Sequence, residues 1–264
     1  MMNDNNNIEN NDVNGNKKKS IKLIVLFLII FALLFAGVYF GLAIGQKNAQ
    51  TPDDTSNVTV TQSTEKAVEN PIDFAKLQKQ NDEIYAYIKI DDTKVDCPIV
   101  QSASDDAFYL RHKAEDKSWS ASGAIYTEVA NSKDFDDFVT VIYGHNGYSD
   151  TFFTTLHYFE KEEFFNSHPY FYIYTPDGRE IVYHIYSAAT VKDTDDVYLT
   201  GFENDEAYQS YLDMTKRIAI YDTGVEVTTA DSVVTLSTCT SASDEHRFVV
   251  IGVKEQENQM GQTK

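Results

Sequence analysis

Three side chains in this sequence share a setting that suits acyl transfer. Cys239 closes the run Ser232-Val-Val-Thr-Leu-Ser-Thr-Cys239, and Arg247 opens the run Arg247-Phe-Val-Val-Ile-Gly-Val253. Both runs are apolar and β-branched, as strands are, and a short polar insert, 240–246, separates them. Paired as a hairpin, the two strands bring thiol and guanidinium to one end of a sheet. An arginine there favours a thiolate and can hold a developing oxyanion. A free thiol titrates near pKa ~8.5, so a nucleophile working at neutral pH needs a base or a cationic neighbour. Tyr143-Gly144-His145-Asn146, after the apolar run Phe138 to Tyr143, offers a histidine at a third strand end. The chemistry these three suit is that of a cysteine acyltransferase.

Each residue also has a plainer reading. A single cysteine on an apolar strand is usually a small buried hydrophobe. A histidine at a strand end is commonly a surface or turn residue, and Arg247 could pair with Asp244 or Glu245. His246 is a second candidate base, but strand alternation turns it to the opposite face from Arg247. The order and context of the three decide between these readings. Thr235-Leu236-Ser237-Thr238-Cys239 resembles the TLxTC signature of sortases, Arg247 sits at the spacing of their arginine, and Tyr143-Gly144-His145-Asn146 resembles the segment carrying their histidine. The resemblance runs from about Asn70 to Val253. It implies a Cys239 nucleophile, His145 as base and then acid, and Arg247 as donor to the scissile carbonyl or its oxyanion. Ser237, Thr238 and Asn146 would lie on the substrate side. It implies cleavage after a threonine in a C-terminal sorting signal of a secreted protein, through a thioester, and transfer to a peptidoglycan precursor amine. No cofactor or metal is expected. Two rival functions share these residues: a membrane-anchored cysteine protease that lets water resolve the acyl-enzyme, and a non-catalytic binding domain with a structural Cys239.

The elements that must position these groups are mostly strands. Tyr85 to Ile90, Lys94 to Val100, Gly123 to Thr127, Phe138 to Tyr143, Tyr170 to Thr175, Glu180 to Val191 and the two runs around Cys239 make about eight, with a Pro176-Asp177-Gly178 turn between the fifth and sixth. Few helices accompany them, so the fold expected is a closed or nearly closed β-barrel, as in sortases. Asn70-Pro71-Ile72-Asp73 reads as a capped helix start, with Phe74, Leu77 and Ile84 as its apolar stripe. Before the cysteine strand, Asn204 caps a second helix whose Tyr208, Tyr211, Leu212, Thr215 and Ile218 share a face. A helix in that long loop and one at the N-terminus resemble class B, and the Asp-Pro-aromatic lid of class C is absent from the sequence.

Composition bounds the rest. A net charge of −19 lacks the basic footprint of a nucleic-acid binder and disfavours clinging to anionic lipid by charge. Two cysteines exclude a disulfide-dense scaffold. A Cys97–Cys239 bridge would disable the nucleophile, and Cys97 reads as packing. Asp193, Asp195 and Asp196 could offer oxygens to Ca2+, but without an EF-hand pattern a solvated acidic loop is the simpler reading. Asn- and Asp-rich residues 1–16 are expected to be disordered. Lys17, Lys18, Lys19 and Lys22 then precede an uncharged apolar run from Leu23 to about Ile44. A crossing helix needs about 20 residues, whereas the apolar part of a signal peptide spans about 7–15. The flanking lysines put the N-terminus inside and the remainder outside the cell. The organisation predicted is a cytoplasmic tail at 1–22, a transmembrane anchor at 23–45, an extracellular linker at 46–69 and a catalytic domain at 70–264.

Overall fold

Strands β1 (Ile84–Lys89), β2 (Asp96–Val100), β3 (Ile125–Tyr126), β4 (Val139–Tyr143), β5 (Tyr170–Tyr174), β6 (Arg179–Lys192), β7 (Val233–Cys239) and β8 (His246–Gln259) close into a barrel. Their order is β1-β2-β3-β4-β7-β8-β6-β5, and β5 pairs back to β1. The β2–β3 and β4–β7 pairs are parallel and the others antiparallel. The computed structural model describes residues 68–147, 151–240 and 245–261. The expected tail and transmembrane anchor, and nearly all of the linker, lie outside them. No helix among the described residues is long and apolar enough to cross a membrane.

Alternation along the strands divides the apolar residues between two cores. Ile88, Ile99, Ile142, Ile173, Leu236 and Val250 fill the barrel. Val139, Val141, Val233 and Ile251 face outward and would meet water if nothing covered them. Helix α3 (Asp205–Arg217) covers them with Tyr208, Tyr211 and Leu212. Its start is the one expected from sequence: the Asn204 side chain accepts from Ala207 N at 2.9 Å.

Helix α1 (Phe74–Gln80) begins later than the Asn70-Pro71 signal implied. Its cap is Asp73, which accepts from Lys76 N at 2.9 Å. Asn70 is instead 4% exposed and joins the barrel: its N–H donates to Gly261 O at 2.8 Å and its Nδ2 to Thr175 O at 3.2 Å. Gly261 N donates to Val68 O at 2.8 Å, so residues 68–70 run parallel to the tail of β8. Ile84, assigned to the helix stripe, is the first residue of β1, because Asn81 ends the helix and its Oδ1 accepts from Glu83 N at 3.0 Å.

A 3-10 segment, Phe152–Glu160, and α2 (Glu162–Ser167) follow the histidine, in a stretch rich in Phe and Tyr. Phe153, Leu156 and Phe159 recur every third residue, so in a 3-10 helix they share a face, and here they enter the barrel core. Tyr221 OH donates to Phe159 O at 2.8 Å and fastens the segment.

Candidate active site

The pairing that creates the site is Cys239 with Arg247 across β7 and β8. Thr240 N donates to His246 O at 3.1 Å, one step further along, which makes Cys239–Arg247 a non-hydrogen-bonded pair. In such pairs the side chains stand closest. Both line one groove of about 360 Å3, together with His145. The His145 backbone arrives there because β4 runs parallel to β7, with Tyr143 opposite Ser237 and Gly144 N donating to Ser237 O at 3.0 Å.

Gly144 is glycine for closeness rather than for a left-handed turn. A Cβ on it would lie 2.4 Å from Ile125 Cδ1 and 2.7 Å from the Phe153 ring. The half-buried His145 ring is held by Nε2, 2.7 Å from Leu110 O. A carbonyl only accepts, so Nε2 carries the proton and Nδ1 is the basic atom of the neutral ring.

Arg247 pairs with Asp193 at 3.4 Å, from the acidic loop after β6, and its Nη1 donates to His246 O at 3.1 Å. Asp193 is itself positioned by its N–H on Glu245 O at 3.0 Å. The acidic loop thus orients the arginine, while Asp195 accepts from Lys192 N at 2.8 Å in the turn. No group of acids, histidines or cysteines among the described residues forms a metal site.

Ser237 lines the groove and shares a 3.0 Å hydrogen bond with Tyr198 OH. Thr238 is 1% exposed, and its hydroxyl has no partner among the described residues. Asn146 is half-buried in the segment after the histidine and is not among the residues lining the groove. His246 is also outside the groove lining.

Sequence reasoning missed the groove's aromatic wall. Tyr143 stacks on Tyr126 at 5.4 Å and on Tyr198 at 6.3 Å. Burial first, then the nearby Glu128, pushes the Tyr126 hydroxyl up to about 12. Burial likewise raises Tyr198 to about 12, against the Ser237 bond and Arg247. Both phenols are therefore neutral donors at physiological pH. Burial, then Asp106, raises the Glu128 carboxyl, against the 3.5 Å bond from Tyr143 OH. Tyr126 and Glu128 lie two apart along β3 and the chain that continues it, a spacing visible in sequence but silent until β3 is placed beside β4.

A family model for the sortase domain matches residues 88–255. Sortase B of Listeria monocytogenes is 31% identical over 180 residues, 67% of this chain and 71% of its own length. Sortase B of Staphylococcus aureus is 31% identical over 181 residues, 67% of this chain and 72% of its own. Among solved structures, a Staphylococcus aureus sortase B–substrate complex superposes with a TM-score of 0.64 at 29% identity, covering 71% of this chain and 85% of that one. A cysteine-to-serine mutant of Clostridium perfringens sortase B gives 0.65 at 30% identity, covering 69% and 86%. The closed eight-stranded barrel agrees with these likenesses, and the chain belongs to the sortase family as a class B cysteine transpeptidase.

Proposed function

We propose that this chain is a membrane-anchored sortase that cleaves a C-terminal sorting signal after threonine and joins the shortened protein to a peptidoglycan amine outside the cell. The observation that carries the chemistry is the Cys239–Arg247 pair in the groove that also holds His145. The Cys239 thiol passes its proton to Nδ1 of His145, the sulfur attacks the threonine carbonyl carbon, and Arg247 donates to the oxygen as negative charge develops. The C–N bond breaks, and the leaving amine takes a proton from Nδ1 of His145. The acceptor amine then attacks the thioester, gives a proton back to Nδ1, and releases Cys239. That a sortase B has been solved in complex with triglycine supports an amine-bearing peptide as acceptor. The lysine-flanked apolar run 23–45 supports the anchor, and with it the extracellular placement of the domain.

Intact-mass analysis of the full chain with a panel of sorting-signal peptides tests this reading. A peptide-sized thioester should form on the wild type, not on Cys239→Ala, and an added amine should discharge it as an amide. Cleavage with no amine capture would establish the protease instead.

A further inference from the structure

His157 is one of several scattered histidines in the sequence, and the structure gives it specific work. Its Nε2 lies 3.1 Å from the carbonyl oxygen of Cys239, 82 residues away, and its Nδ1 lies 2.7 Å from Glu160 Oε1. The ring stacks on Phe248 at 5.2 Å. The β4–β7 ladder explains why a donor is needed there. Its last rung is Gly144 N–H on Ser237 O. A parallel ladder would next serve the oxygen two residues on, which is that of Cys239. There, among the described residues, the oxygen meets the His157 imidazole.

We propose that His157 is a positioning residue that, backed by Glu160, holds the nucleophile's own peptide unit and places a positive charge behind it. Both ring nitrogens face oxygens that accept, so both bonds form together only on the doubly protonated ring; a neutral ring keeps one. The titratable and charged groups gathered at this end include Glu160 on the same segment, the Cys239 thiol on β7, Arg247 on β8 with Asp193 paired to it, and His145 and Glu128, which line the same groove. The proposal rests on the transpeptidase reading for its purpose, but its test does not.

That test is the rate of Cys239 alkylation against pH in the full chain, followed by transpeptidation kinetics. His157→Gln keeps one donor and loses the charge; alkylation near pH 7 should slow roughly threefold to tenfold and its profile should move to higher pH. His157→Lys should restore most of the rate. Glu160→Gln, which leaves the ring in place, should give part of the loss, and it decides the matter if His157→Gln does not fold. In transpeptidation kcat should fall with KM little changed. A folded variant whose alkylation profile matches the wild type overturns the proposal. Slowed alkylation with no acyl-enzyme from any peptide would keep His157 and reject the transpeptidase reading.

Discussion

Cys239 and Cys97 carry the same side chain in opposite circumstances. Both are free thiols. Cys97 is 5% exposed among the residues filling the barrel, and burial, then Asp96, pushes its thiol far up. Cys239 ends its strand in an open groove beside Arg247. Iodoacetamide on the native protein should therefore add one label, at Cys239. Cys239→Ala should take none until denatured, when Cys97 should label; native labelling of Cys97 would contradict the burial. That Cys239, His145 and Arg247 share one groove was legible because they sit at strand ends inside short motifs. The bonds that hold them were not. Leu110 O is 35 residues from His145, and Glu128 meets Tyr143 only once β3 joins β4. No local pattern announces a carbonyl partner supplied by the tertiary fold.

Among the elements, the strands were legible because alternating β-branched residues must face two cores, and α3 because Asn204 caps an amphipathic face. The tail of β8 from Lys254 to Gln259 was missed because it is polar; its hydrogen-bonding to β6, not burial, makes it a strand. The 3-10 segment carried a signal, the three-residue period of Phe153, Leu156 and Phe159, that strand-like aromatic content obscured. Its meeting with β4 is tight at Gly144. Gly144→Ala drives a methyl against Ile125 and the buried Phe153, and the strain falls on the residue next to His145. Turnover should drop about 10–100-fold, since displacing a catalytic group by about 1 Å costs this order. Cys239 alkylation should change far less. Equal losses in both would mean that the barrel end, not the histidine, had been disturbed.

At the scale of the whole molecule, the barrel separates its two ends. Tyr143, Cys239 and His246 mark the catalytic end, while Arg179 and Gln259 mark the other, where residues 68–70 enter. Asn70→Ala should lower stability by about 1–2 kcal/mol, because Thr175 O loses one of its two donors, keeping Gly178 N, and Ile72 N loses the Asn70 Oδ1 that accepts from it. Thermal unfolding measures that loss, and alkylation of Cys239 below the transition should be unchanged. A matching fall in reactivity would show the ends to be coupled. The same arrangement has a mechanical consequence. β8 spans on the order of 40 Å from His246 to Gln259 at the usual strand rise. A pull on the chain ahead of Val68 reaches the barrel first at Gly261 and Thr175, so bonds there must yield in shear before Cys239 and Arg247 part. The reaction centre is thus insulated from whatever tension its leading segment transmits.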